Sequence, residues 1–170
     1  VGAAEIEEEP SMASTDPTTM RAVLGHFPSG VTIVTGAVDG VPAGFTCQSF
    51  SSLSLDPPLV LILPGRNSSS WPKIEATGRF CVNVLAQDQG ELSTTFAKSG
   101  TDKFAGVDWR PSDLGSPILA GATAWIDCTL HASHDGGDHL IVVGAVHDLA
   151  AEEAPPLVFH RGAYARTQGA

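Results

Sequence analysis

The chain has 170 residues, 9 of them basic and 19 acidic, for a formal net charge of −10; 42% of it is hydrophobic and 16% charged. That composition fits one globular domain with a real core, and it excludes a disordered chain and a polyanion binder, which needs a basic face to release counterions. Gly at 18 positions and Pro at 12 favour many short elements joined by tight turns over a helical bundle.

Residues 1–15 are acidic and lack an apolar signal-peptide core, so they read as an N-terminal tail ahead of one domain spanning 16–166. Asp16-Pro17 supplies a cap and a first-turn proline. Met20, Val23, Leu24 and Phe27 follow at helical spacing, which predicts a short helix ending near Gly25. "GVTIVTGAV" is a β-branched strand, Asp39-Gly40 a hairpin turn, and "FTCQSFSSLS" the later part of the returning strand. Asp56-Pro57-Pro58 stops it. "LVLIL" then reads as a strand apolar enough to be buried on both faces, and the run is far short of the ~20 residues of a membrane helix.

"GRNSSSWPKIEATG" predicts a turn and a helix capped by one of its serines, "RFCVNVL" a strand, "QDQGELSTTFAKSG" a helix and "TDKFAG" a turn. In "ATAWIDCTLHASH", Ala124, Ile126, Cys128, Leu130 and Ala132 alternate with Trp125, Asp127, Thr129, His131 and Ser133, the period of a long strand. "DGGD" turns it into "HLIVVGAVHDL", and "PLVFH" is a last short strand. Six or seven strands without strand–helix alternation predict a closed or partly open antiparallel barrel, and neither GxGxxG nor GxxxxGK[ST] occurs. Cys47, Cys81 and Cys128 are widely spaced in apolar contexts and form no CxxC, the pattern of reduced, buried thiols in a cytoplasmic protein.

Two hydroxyl-rich clusters stand out. Thr46, Gln48, Ser49, Ser51 and Ser52 line a strand and its exit, and Ser68, Ser69 and Ser70 open a helix. Both offer neutral donors suited to a phosphate and a polar heterocycle; a solvent-facing strand and a plain helix cap would give the same residues. In "HASHDGGDH", His131 and His134 are an odd number apart and leave opposite strand faces, which argues against a metal site. The Gly-Gly turn either admits a ligand ring beside Asp138 and His139 or is a simple hairpin. There is no GxSxG, no H-E-x-x-H and no carboxylate pair, and Trp71, Trp109 and Trp125 read as packing residues.

"PSGVTIVT", "GFTCQSFSSLSLDPPLV", "NSSSW", "GRFCVNVL", "DKFAG" and "GDHLIVVGAV" occur in that order, from about Thr19 to Tyr164. This set resembles the flavin reductase family, the small components of two-component flavin-dependent monooxygenases. The resemblance implies a mainly β fold, an antiparallel Greek-key split β-barrel with a few short helices, assembled as a homodimer. It implies an NAD(P)H:flavin oxidoreductase, with NADH favoured over NADPH, that passes a hydride to FAD or FMN and releases reduced flavin to a partner monooxygenase. No nucleic-acid or membrane partner is expected. The alternative on the same barrel is a flavoprotein that retains FMN as an oxidase, or a non-catalytic flavin- or haem-binding protein.

The family's flavin contacts map to Pro42, Ala43, Gly44, Phe45, Thr46, Gln48, Ser49, Leu63, Pro64, Gly65, Ser69, Ser70, Thr95 and Phe96. Its nicotinamide side maps to His134, Gly137, Asp138, His139 and Tyr164, with His139 expected to position the nicotinamide. Relatives often carry Arg or Lys at the positions of Ser69 and Thr95. Neutral residues there imply a flavin held loosely enough to depart.

Overall fold

The computed structural model describes residues 15–167; apart from residue 15, the expected N-terminal tail lies outside them. Helix α1 (Pro17–Leu24) starts as expected: the Asp16 carboxylate accepts from the N–H groups of Thr18 and Thr19 at 2.9 and 3.1 Å. Its apolar stripe is uncovered within the chain, with Met20, Val23, Leu24 and Phe27 between 48% and 81% exposed.

Strand β1 (Ser29–Gly30) leads into β2 (Thr32–Val38), and β3 (Val41–Cys47) returns beside it. Asp39 and Gly40 sit at φ +50° and +80°, the positive-φ pair whose twist matches the flanking strands. The expected continuous strand then breaks. Gln48 and Ser49 leave the ladder before β4 (Phe50–Leu55), which pairs with β5 (Pro58–Ile62) and not with β2. There follow α2 (Trp71–Glu75), β6 (Arg79–Val84) and α3 (Gly90–Ala97). Then come β7 (Trp109–Pro111), β8 (Pro117–Leu119), the long hairpin β9 (Ala124–Gly136) and β10 (His139–Ala151), β11 (Leu157–His160) and β12 (Ala163–Arg166). Strands β1, β7, β8 and β12 lie outside the sequence expectation; they are two to four residues long, too short to display a period.

The main sheet runs β3-β2-β6-β9-β10-β5-β4 with antiparallel pairing throughout. Its edge strands β3 and β4 are separated only by Gln48 and Ser49. Seven flat strands would hold their edges about 29 Å apart, whereas two linking residues reach roughly 11 Å. The sheet therefore has to curl until its edges meet, which makes it a split barrel. Val34, Phe45, Val60, Ile62, Phe80, Val82, Cys128 and Val142 fill the interior with Trp71 and Ile74 of α2. The Trp71 ring meets Phe45 and Phe80 edge-on at 6.2 and 5.9 Å. A second core outside the barrel joins Val31, Ile33, Leu85, Phe96, Leu119 and Leu157. Strand β2 serves both, which is why five successive residues from Thr32 are buried.

Two further expectations fail for identifiable reasons. The run "LVLIL" is buried on one face only: Val60 and Ile62 point inward while Leu59 and Leu61 stay half-exposed, because the helices pack on β2, β3 and β6 instead. The period of two in β9 is interrupted at His131, which has no register partner between the Ala132↔Val143 and Leu130↔Gly144 pairs. That bulge removes the parity reasoning applied to His131 and His134. The three cysteines are free and buried, as their contexts implied.

Candidate functional site: a cleft where the sheet edges meet

The closure at Gln48–Ser49 leaves a cleft of about 430 Å³ lined by Phe45, Thr46, Cys47, Gln48, Ser49, Leu63, Gly65, Ser93, Ala97, His139, Phe159 and Tyr164. An adjoining hollow of about 290 Å³ shares Phe45, Thr46, Gly65, Ala97 and His139 and adds Asn67, Ser68, Ser69, Phe96, Ser99 and Lys103. Three pieces of chain make the walls: β3 and its exit, the loop after β5, and the C-terminal half of α3. His139, first residue of β10, closes one side.

Strand β3 is an edge, so alternate backbone groups face away from β2. The Gly44 carbonyl is one of them, because it accepts from Lys103 Nζ at 3.1 Å outside the sheet. The N–H groups of Gly44 and Thr46 therefore point the same way, toward the cavities these residues line. Lys103 also donates to the Phe96 carbonyl at 2.9 Å and lies 3.5 Å from Ser70 Oγ. It staples β3 to the end of α3, and its partial burial pulls its pKa below the ordinary lysine value. Gly44 is required by contact: a Cβ there would sit 2.8 Å from the Phe96 ring.

The α3 wall is tied in by hydroxyls. Thr46 Oγ1 donates to the Ser93 carbonyl at 2.6 Å, and the Tyr164 hydroxyl donates to Ser93 Oγ at 2.9 Å. The predicted serine cap of α2 is Ser68, whose Oγ accepts from the N–H groups of Ser70 and Trp71 at 3.3 and 3.1 Å. Across the cleft, His139 forms a bridge with Gly65, and its Nδ1 is 2.7 Å from the Asp138 carboxylate. That hydrogen bond holds the Asp138 pKa below the usual carboxylate value.

The sequence-derived residues separate into groups. Phe45, Thr46, Gln48, Ser49, Leu63, Gly65, Ser69, Phe96, His139 and Tyr164 line the cleft and its adjoining hollow. Pro42, Ala43, Gly44 and Ser70 line a further cavity beyond Lys103, shared with Ser69, Lys73 and Thr101. Pro64 is buried behind the wall, where its carbonyl accepts from the Leu140 N–H at 2.9 Å. Thr95 faces a shallow groove with Gly90, Glu91, Thr94, Lys98 and Tyr164, and its hydroxyl donates to the Glu91 carbonyl at 3.0 Å.

His134, Gly137 and Asp138 lie at the exposed hairpin tip and line none of these cavities. The long β9–β10 hairpin carries them past the rim, and His139 alone of that group turns in. Ser51 and Ser52 are exposed on the β4 edge, outside the cleft; of the hydroxyl-rich strand only Thr46, Gln48 and Ser49 face it. The sequence reading passed over Lys103, Asn67 and Ser93. Lys103 carried a signal, as the single base inside the quoted "DKFAG".

The cleft suits a flat, polar-edged ring: backbone donors along one wall, neutral amides and hydroxyls along the other, and the Lys103 cation between the cavities. The flavin reductase like domain family matches residues 24–168. The chain belongs to the flavin reductase family. The reductase subunit HsaB of a flavin-dependent monooxygenase from Mycobacterium tuberculosis is 56% identical over 155 residues, covering 89% of this chain and 83% of that one. A crystal structure of nitrilotriacetate monooxygenase component B from Mycobacterium thermoresistibile superposes with TM-score 0.87 at 55% identity, over 90% of this chain and 87% of that one. The NADH:FAD oxidoreductase SgcE6 of Streptomyces globisporus, solved with NAD and FAD fragments, has TM-score 0.87 at 35% identity, over 94% and 98%. Family membership favours the reductase over an FMN-retaining oxidase or a carrier on the same barrel.

Proposed function

We propose that this chain is the NADH-dependent flavin reductase component of a two-component monooxygenase, reducing FMN or FAD in the cleft and releasing it to a separate oxygenase. The observation that carries this reading is the cleft's set of uncommitted neutral donors. Gln48, Ser49, Asn67 and Ser69 are at its walls, and none of their side chains has a hydrogen-bond partner among the described residues.

The flavin supplies the hydride-accepting ring and the nicotinamide the donor, so the protein needs to orient and polarise, with no covalent step of its own. The N–H groups of Gly44 and Thr46, with Gln48 and Ser49, would orient the flavin's polar edge and stabilise negative charge there. Ser69 and Ser70 would hold phosphate without a paired arginine, firmly enough to bind and weakly enough to release. On the opposite side His139 would position the nicotinamide carboxamide, so that the donor carbon of the nicotinamide meets flavin N5 with most of the encounter entropy already removed. NADH is the expected donor, because the sequence offers no obvious Arg cluster for the 2′-phosphate of NADPH.

The exposed stripe of α1, with Leu53 and Leu55 at 50% and 94% exposure on the edge strand β4, is proposed to be covered by a second copy in a homodimer. Three buried thiols suit a reducing cytoplasm. No helix among the described residues is long and apolar enough to cross a membrane.

Anaerobic mixing with NADH and a catalytic amount of free flavin tests the reading. Many equivalents of NADH oxidised per protein, once an electron acceptor is added, are expected, with flavin lost on dialysis. A tightly retained flavin that NADH leaves oxidised would overturn it.

A further inference from the structure

Arg66 is part of the turn read in "GRNSSSWPKIEATG" but of none of the family motifs, and it joins the loop after β5 to the tip of the β9–β10 hairpin. Its backbone N–H donates to the Asp138 carbonyl and its Nε to the Gly137 carbonyl, both at 2.9 Å, while Nη2 pairs with the Asp135 carboxylate. Backbone pairing holds the base of the tip, with His139 opposite Gly136 and Leu140 opposite Asp135. Asp135, Gly136, Gly137 and Asp138 are all exposed, and two adjacent glycines leave its backbone permissive. His139 follows directly; the loop after β5 holds its backbone through the Gly65 bridge, and the side-chain anchor that sets the tip before it is the Arg66 guanidinium.

The ring's orientation has a chemical consequence. Nδ1 faces the Asp138 carboxylate at 2.7 Å, so in the neutral imidazole the proton sits on Nδ1 and Nε2 is left as the acceptor. Nε2 is 3.7 Å from the point where a side chain on Gly65 would begin, on the cleft side of the ring. An acceptor there matches the N–H of a primary carboxamide.

We propose that Arg66 is a positioning residue: it fixes the hairpin tip so that the Asp138–His139 pair presents a bare Nε2 to the nicotinamide carboxamide. This rests on the reductase reading of His139. By the same geometry Asp138 acts through His139, not by touching the nucleotide. A planar fork can hold a carbonyl and a carboxylate at fixed angles together, which a lysine ammonium cannot. As a half-exposed ion pair, Arg66–Asp135 adds little to global stability, so its purpose is better sought in geometry.

The test compares Arg66→Gln, Arg66→Lys, His139→Ala and the Arg66→Gln/His139→Ala double variant. Arg66→Gln is expected to lower kcat/KM for NADH roughly tenfold with oxidised-flavin affinity held within about twofold, the pattern of a misaimed donor and not of a loosened fold. Arg66→Lys should recover part of the loss, and the double variant should be no worse than His139→Ala, since both changes act on one contact. Nitrogen NMR of the His139 ring reads the same claim without turnover: protonated Nδ1 and bare Nε2 in the native chain, a tautomer mixture in Arg66→Gln. Additive losses, a parallel fall in flavin affinity, unchanged NADH kinetics or identical ring spectra would each overturn the proposal. A native protein inert to NADH would instead overturn the reductase reading, while the ring spectra would still decide the role of Arg66.

Discussion

Thr35 and Asn83 in the barrel wall, and Thr46, Gln48, Ser49 and Ser69 around the cleft, are chemically alike and bonded quite differently. Asn83 is fully buried: its Nδ2 lies within 3.3 Å of the Ile33 carbonyl, Thr35 Oγ1 and the Pro117 carbonyl, and its Oδ1 accepts from the Leu119 N–H at 2.8 Å. Thr35 Oγ1 donates to the Pro117 carbonyl at 2.5 Å. Together they lash β8 to β2 and β6, where an unmatched polar atom would be costly. At the cleft the pattern inverts. Thr46 and Lys103 hold the walls in place, while Gln48, Ser49 and Ser69 have no partner among the described residues. The same side-chain chemistry thus builds the scaffold where it is saturated and a binding surface where it is not.

Substitutions can break this contrast at either end. The largest effect is expected for Asn83→Leu, which strands the buried Leu119 N–H and overfills a polar site: a loss of about 3 kcal/mol, or roughly 10 °C in Tm, by calorimetry. Flavin affinity per folded molecule should change little. Lys103→Met should do the reverse, weakening flavin binding roughly tenfold by fluorescence titration as β3 loses its staple and the cleft its cation, with a Tm drop of only about 3 °C. Equal effects on both readouts in either variant would erase the distinction.

Ser69→Arg sharpens it. A charge-assisted bond in place of a neutral one should tighten flavin roughly fivefold and slow its release, seen by stopped-flow transfer to a scavenging apoflavoprotein.

The smallest effect concerns Asp127, which is fully buried in β9, with Oδ2 accepting from the Leu114 N–H at 3.2 Å and Oδ1 unpartnered. Burial pushes its pKa up, opposed by the Ser112 hydroxyl, the Leu114 N–H and His147. A carboxyl raised in the folded state contributes stability that is complete below its ordinary value of 3.8 and is lost as pH rises through the elevated folded value. Asp127→Asn does not titrate, so it should raise Tm at pH 7 more than at pH 4. An equal change at both pH values would contradict the cause given.

Local features of the fold were legible in the sequence because local chemistry determines them: the Asp16 cap, the Asp39-Gly40 turn, and the β9–β10 pairing across a short glycine turn. What escaped was set by distant contacts. Nothing near Gln48 and Ser49 says that two residues join opposite sheet edges; that follows from β6 and β9 inserting between β2 and β10. The motifs led to Thr46, Gln48 and Ser49 but also drew in Ser51 and Ser52, since composition cannot tell which side of the break faces the cleft. Lys103 meets Gly44 across 59 positions and Arg66 meets Gly137 across 71, separations at which spacing carries no signal. His139 was reached through its motif, whereas its dependence on Arg66 is visible only in three dimensions.

The most direct measurement is a crystal structure of the protein with oxidised flavin and NAD⁺ together. The predicted result is an isoalloxazine along the Gly44–Ser49 backbone, with the nicotinamide carboxamide at His139 Nε2. A flavin seated on the outer face of α3 beside Thr95 and Lys98, or a nicotinamide remote from His139, would contradict it.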